Sequence, residues 1–324
     1  MKNLVVIYFG DDWDFSVPIS NGLTREAFQE WNRMGEQFSV SVFRASIQWY
    51  DPQKGFFTKA WAFRNEAWIH ITGPIFPDFI YDKVGSKHDY ELFELKKSMA
   101  AKTKVYNDPQ FRAIVGNKIS QYMLFGEFMP KSFIANNTHD LCSALERIRT
   151  DKAVIKPLYG SGGEGIVIDE KKNLFGFTYT FPVLVQEFIV SENGIPGFSQ
   201  KKEVSDLRLV FNNHRLEYAL SRIAKEGSLF TNLHQGASGV MVPKNMIPQE
   251  VWEMVVRVQE RLEVFSEAQY SIDFIFDNKG KPFLIELNTT PGVDLIYVLS
   301  AREINKENFK SLIAMIPGIG EESR

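Results

Sequence analysis

The sequence is nearly without cysteine and has no long apolar run, no basic run and only five histidines. Cys142, alone in 324 residues, can build neither a disulfide framework nor a zinc site. It lies in Leu141-Cys-Ser-Ala-Leu145, which reads as an amphipathic helix with Cys142 as a small buried residue. The histidines are scattered without ligand spacing. Leu4-Val-Val-Ile-Tyr-Phe9 is too short for the apolar core of a signal peptide, and nothing approaches the roughly 20 apolar residues of a membrane span. The short apolar run and the missing span lead us to expect a cytoplasmic protein, and a net charge of −3 without a basic stripe argues against nucleic acid and anionic membranes as partners. Several signatures are missing too: no G-x-x-x-x-G-K-[ST], no G-x-S-x-G, no H-R-D and no D-F-G.

What is present is an ordinary globular composition, 44% hydrophobic and 24% charged, long enough for two or three domains. Its organising stretch runs from Tyr270 to Asp294. Ser271-Ile-Asp-Phe-Ile-Phe276 and Lys281-Pro-Phe-Leu-Ile-Glu-Leu-Asn288 both alternate on a period of two, around the turn Asp277-Asn-Lys-Gly280, and predict a β-hairpin. A tight turn there sets Asp273 opposite Leu284 and puts Glu286 and Asn288 on the face of Asp273. Two facing carboxylates raise each other's pKa unless a cation lies between them. An all-oxygen donor set of this kind suits Mg²⁺ or Mn²⁺. The alternative, a solvated face of an edge hairpin, fits poorly with Phe274, Ile275, Phe276, Phe283, Leu284 and Ile285 around it.

At the start of the chain, the 4–9 run followed by Gly10 predicts a buried strand. A helix capped by Thr24 and ended by Gly35 comes next, then a strand Phe38-Ser-Val-Ser-Val-Phe43. This β-α-β opening points to a small parallel-sheet α/β domain over 1–107. The aromatic-rich segment 47–71 reads as a packed hairpin, with a substrate wall as the alternative.

Lys118 opens a helix after Gly116-Asn117, which alone says little. Lys156 interrupts the apolar strand Ala153-Val-Ile-Lys-Pro157 directly before Gly160, Ser161, Gly162, Gly163, Glu164 and Gly165. Such a loop offers backbone N–H groups to phosphate oxygens, and glycine allows the close approach. A Rossmann turn would need a helix next, but Ile166-Val-Ile-Asp169 reads as a strand. Further on stand Gln186, Glu187, Phe188 and Ile189 ending an apolar strand, Asp206-Leu-Arg208 and Arg222 on two more, and the polar loop Thr231-Asn-Leu-His-Gln-Gly236. The charges on strands call for partners. Pro248 starts a helix with a core stripe of Val251, Met254, Val255, Val258 and Leu262.

Taken in order, these features resemble the ATP-grasp superfamily over about 110–300, and within it the ribosomal-protein glutamate ligases and the ATP-grasp proteins associated with spore coats. The segments carrying the likeness are Val185-Gln-Glu-Phe-Ile189, Ala224-Lys-Glu-Gly227, Asn232-Leu-His234 and Glu286-Leu-Asn288 before Pro291-Gly292. The resemblance implies an ATP-grasp fold of two α+β lobes clasping ATP, here 108–187 and 188–324, preceded by the α/β domain. It implies phosphate contacts from Lys118, Lys156 and the 160–165 glycine loop. Adenine would lie on the backbone of Gln186 to Ile189 and ribose on Glu187 or Asp206, with Arg208 and Asn232 also at the nucleotide. Asp273, Glu286 and Asn288 would hold Mg²⁺ (or Mn²⁺), and Arg222 would join Lys156 at the transferring phosphoryl group.

The activity implied is an ADP-forming carboxylate–amine ligase working through an acyl phosphate, on a small-molecule or peptide carboxylate and an amine. A homo-oligomer is compatible with it. Three positions depart from the family pattern: Glu164 in the glycine loop, and Phe230 and Gln235 where the glutamate ligases carry arginines. The last two remove cations that would grip an acidic substrate. A small-molecule phosphotransferase, or a coat-associated nucleotide-binding protein with little turnover, are the competing readings.

Overall fold

The computed structural model describes residues 1–160, 163–232, 236–299 and 302–319, and of Val298 the backbone only. The chain forms two compact units. One comprises residues 1–113, Glu267–Gln269 and the chain from Thr290 on; the other comprises Ile114–Ser266 and Tyr270–Thr289.

In the first unit β1 (Lys2–Tyr8) leads through α1 (Gly22–Gln37) to β2 (Val40–Ser46), which pairs parallel to β1 as the sequence predicts. The helix differs at both ends from the expectation. Its N-cap is Asn21, whose side chain accepts from Thr24 N, and it continues past Gly35 to Gln37. Gly35 is a packing glycine: a Cβ there would lie 2.5 Å from the Val40 carbonyl oxygen. Strands β3 (Tyr50–Asp51), β4 (Phe56–Arg64) and β5 (Ala67–Ile75) make the aromatic segment a packed hairpin, with Trp49 and Trp61 in the core. After β6 (Phe79–Asp82), α2 (Phe93–Ala100), β7 (Lys104–Tyr106) and α3 (Pro109–Val115), the sheet order is β3-β4-β2-β1-β6-β7, with β5 on β4.

The second unit opens with α4 (Lys118–Phe125), β8 (Ser132–Ala135), α5 (Thr138–Arg147), β9 (Lys152–Pro157), β10 (Val167–Glu170) and β11 (Val183–Glu187). These strands form an antiparallel sheet in the order β10-β9-β11-β8. Leu141, Ala144 and Leu145 of α5 pack on Ala153, Ile155, Val183 and Val185, while Cys142 sits half-buried at the helix flank rather than in that core. A second sheet follows: β12 (Ser205–Asn212), β13 (Arg215–Ile223), β14 (Ser238–Met241), β15 (Gln269–Phe276) and β16 (Pro282–Asn288), ordered β14-β13-β12-β15-β16. Between β14 and β15 lies α6 (Gln249–Leu262), which buries Val251, Val255, Val258 and Leu262 as its stripe predicts.

The last helices, α7 (Asp294–Val298) and α8 (Arg302–Ile313), belong to the first unit, where 188–324 had been expected to form a single lobe. The reason is packing. Tyr297, Phe309, Leu312 and Ile313 complete the apolar core beside Phe28 and Trp31 of α1.

Candidate active site

The alternation along β9 divides its residues between two environments. Ala153 and Ile155 enter the α5 core; Val154 and Lys156 line a cavity of about 590 Å³ within the second unit. Ile166, Ile168 and Gln186 extend that wall, and Asp206, Arg222, Asp273 and Glu286 come to it from the five-stranded sheet. The volume is in the range of sites that enclose a small ligand.

Register accounts for how these groups meet. Asp206 and Arg222 are direct cross-strand partners on β12 and β13. Arg222 Nε and Nη2 donate to the two Asp206 carboxylate oxygens at 2.9 and 2.5 Å, and Nη2 donates also to Asp273 Oδ2 at 2.7 Å. Arg208 holds Asp273 bidentately, at 2.8 and 2.6 Å. Thr231 Oγ1 donates to Asp206 Oδ2 at 2.5 Å. Burial works against the charge of Arg222, but Asp206 and Asp273 raise its pKa above the ordinary value. Burial likewise pushes Asp273 up, yet Arg208 and Arg222 together hold its carboxyl below the usual range. For Asp206, burial outweighs Arg222 and its pKa is raised.

The hairpin register differs from the expectation. Asp273 stands opposite Glu286, not Leu284; Phe274 takes Leu284, because a β-bulge shifts the ladder between Asp273 and Phe274. The common face survives: Asp273 and Glu286 are paired directly, and Asn288, opposite Ser271, follows two residues on. Lys156 Nζ donates to the Ile285 carbonyl at 3.3 Å, the residue that the bulge leaves without a cross-strand partner. Burial lowers the Lys156 pKa to about 8; Glu286 and Asp273 oppose the shift and Lys118 adds to it. Lys118 sits at the start of α4, where the Asn117 side chain accepts from Ile119 N and Ser120 N. Its ammonium donates to the Gly160 carbonyl at 2.9 Å and lies 3.4 Å from Glu286 Oε1.

The glycine loop joins β9 to the antiparallel β10, a strand-loop-strand arrangement. Gly160, Gly163 and Gly165 all have positive φ, at 104°, 78° and 71°. Ser161 and Gly162, and the Leu233-His-Gln235 part of the later polar loop, lie outside the described residues. At the end of β11, Gln186 is buried and its amide donates to Ser132 Oγ at 2.9 Å, so its side chain fixes the strand. Glu187, Phe188 and Ile189 line the cavity. Glu187 accepts from Arg149 N, and Phe188 N donates to Thr150 Oγ1, both at 3.3 Å. Asn232 also lines it, whereas Lys118, Arg208 and Asn288 are not among its lining residues.

Four cations, Lys118, Lys156, Arg208 and Arg222, therefore surround three carboxylates, Asp206, Asp273 and Glu286. The rest of the cavity lining adds Arg149 and Lys152 to the cations and Asp151, Glu187 and Glu192 to the carboxylates, so positive charge gathers locally around Lys118, Lys156, Arg208 and Arg222 rather than over the whole wall. The donors Asp273, Glu286 and Asn288 are all oxygen and fit a hard divalent cation, provided that Asp273 releases an arginine. Sequence reasoning gave no role to Thr231, Thr150 or the apolar walls Val154, Ile166 and Ile168. The period of two from Lys156 would have found Val154; the partners of the two threonines depend on segments far away in sequence.

The comparisons with known proteins bear on the family and the fold. The family model of the RimK-like ATP-grasp domain matches residues 125–312. A probable alpha-L-glutamate ligase of Xanthomonas campestris pv. campestris (strain B100) is 29% identical over 167 residues, 51% of this chain and 53% of that protein. The chain thus spans about half the length of the curated relatives it matches. Among solved structures, a RimK domain ATP-grasp protein from Sphaerobacter thermophilus superposes with a TM-score of 0.59 at 15% identity, over 97% of this chain and 99% of its own. D-alanyl-alanine synthetase A from Vibrio cholerae gives 0.61 at 15%, with the same coverage. The fold is that of ATP-grasp proteins, and the chain belongs to the RimK-like ATP-grasp domain family.

Proposed function

We propose that this protein is an ATP-dependent ligase that joins a carboxylate to an amine through an acyl phosphate, releasing ADP and phosphate. The observation that carries the reading is the facing pair Asp273–Glu286, set among two lysines and two arginines at one cavity. The lobes would be the two sheets of the second unit, with adenine along the backbone of 186–189 and ribose at Glu187. Lys118 and Lys156 take phosphate oxygens as the 160–165 loop covers them. Asp273, Glu286 and Asn288 would hold Mg²⁺ or Mn²⁺, which when bound neutralises charge on the β- and γ-phosphates.

In the first half-reaction a substrate carboxylate oxygen bonds to the γ-phosphorus and the bond to the ADP oxygen breaks. Arg222 and Lys156 offset the charge on the moving phosphoryl group. In the second, the amine nitrogen attacks the acyl carbon, phosphate leaves and the nitrogen gives up a proton. The family name of the relatives points to glutamate, but Leu229 and Phe230 line the cavity beside Thr231. That wall supports a carboxylate substrate, small or peptidic, without a second acid group.

The test is ADP release from ATP and Mg²⁺ with pools of carboxylates and amines. Release requiring both is expected. Release with a carboxylate or alcohol alone would turn the reading to phosphotransfer, and nucleotide binding without turnover to a structural role.

A further inference from the structure

Resting on that reading, we infer that Thr231 and Asp206 are positioning residues that aim Arg222 at the transferring phosphoryl group and tie its aim to the cavity wall at 229–232. Asp206 is 0% exposed, and its two oxygens are taken by three donors: Arg222 Nε on one, Arg222 Nη2 and Thr231 Oγ1 on the other. A carboxylate so enclosed serves the guanidinium rather than a ribose. A bidentate carboxylate fixes the plane of an arginine fork, which a single contact cannot do. With Nε and Nη2 held by Asp206 and Asp273, Nη1 has no partner among the described residues, and Arg222 lines the cavity. Nη1 is then the group offered to phosphate.

Thr231 gives this arrangement its second anchor. It lies on no strand of the sheet; it belongs to the irregular segment whose Leu229, Phe230 and Asn232 share the cavity wall with Arg222. Its hydroxyl reaches back to β12 to hold the Asp206 oxygen that also receives Nη2. A substrate seated against 229–232 therefore presses on the tether of Asp206.

Thr231→Val removes the hydroxyl and keeps the shape; Thr231→Ser keeps the hydroxyl. In the full-length chain, Thr231→Val should lower kcat about ten-fold to a hundred-fold, the range for partners that orient a reacting group, with KM for ATP within about three-fold. Thr231→Ser should recover kcat to within about three-fold. Added to Asp206→Asn, Thr231→Val should change little more, since both act on Arg222. A second readout needs no ligation: the preference for a non-hydrolysable ATP analogue over ADP, with Mg²⁺, should fall in Thr231→Val while ADP affinity holds. Unchanged kcat and unchanged preference would overturn the inference. So would a Thr231→Ser as poor as the valine, or a lower melting temperature with kcat per folded molecule preserved. If the unaltered protein releases no ADP with any substrate pair, the ligase reading fails instead, and the triphosphate preference still decides the placement of Arg222.

Discussion

Asp273 and Glu286 face each other directly across the β15–β16 ladder, and the bulge beside them turns the Ile285 carbonyl to the Lys156 ammonium. One irregularity thus sets both the acidic pair and a contact from the four-stranded sheet to the five-stranded one. Each carboxylate has its own cations: two arginines on Asp273, Lys118 at 3.4 Å from Glu286. These cations offset the mutual repulsion of the acidic pair.

Removing Glu286 should therefore act on chemistry before stability. Glu286 is partly exposed and its nearest cation is not in tight contact. Glu286→Ala is expected to keep the circular dichroism spectrum and to lose metal-dependent ADP release by a hundred-fold or more, roughly the effect of taking one ligand from a catalytic metal. A folded variant with full activity would sink the metal assignment.

Arg208 occupies Asp273 bidentately and must leave before a cation can use both of its oxygens. Without nucleotide the unaltered protein should bind Mn²⁺ weakly. Arg208→Gln should raise that affinity roughly ten-fold or more, because one opposing charge and two hydrogen bonds are gone. Electron paramagnetic resonance titration of free Mn²⁺ measures it; equal affinities in the two proteins would refute the competition.

Lys156 is lowered from an ordinary 10.5 to about 8 by burial, against the pull of Glu286. Between those values the unfolded chain binds more protons, so this group's contribution favours the fold increasingly as pH rises from about 8 towards 10.5. Bound triphosphate favours the ammonium, so binding at pH 8.5 should draw in a proton at Lys156. Calorimetry in buffers of different ionisation enthalpy reads that uptake. Lys156→Met should reduce it, and an unchanged uptake would move the titration elsewhere.

Much of this site could be read in the residues before folding was considered. Lys156 stood out because an ammonium interrupts an apolar strand, and the hairpin face because three polar groups keep one phase among aromatics. The register could not be read, since a bulge at Ile285 leaves the alternation of residue types almost intact. Nor could the place of α8: an amphipathic helix announces an apolar face, not the sheet that will cover it. Gly35 misled for a related reason, because a glycine needed for a close approach to Val40 looks like a glycine that ends a helix.

Gly165 is required by the loop. Its φ of 71° is left-handed, and a Cβ would lie 3.3 Å from Pro157 Cγ. Gly165→Ala should destabilise the fold by about 1–2 kcal/mol. Thermal melting checks this, and an alanine variant as stable as the parent would show that the turn relaxes freely.

Arg222 offers the sharpest contrast between a structural and a chemical role. It is 6% exposed and makes three hydrogen bonds to two carboxylates, so part of its task is to compensate buried charge. Arg222→Lys keeps one positive charge but cannot bond Asp206 at two points and still reach Asp273 and a phosphoryl oxygen. A loss of some thermal stability is thus expected, while the affinity for ADP, which lacks the γ-phosphoryl group, should hold. Turnover should fall further than stability explains, by roughly ten-fold to a thousand-fold, the range for a lost transition-state donor. The two effects separate when turnover is normalised to folded protein well below the melting temperature of the variant. A destabilised Arg222→Lys protein with full turnover per folded molecule would reduce Arg222 to an ion-pair partner of Asp206 and Asp273.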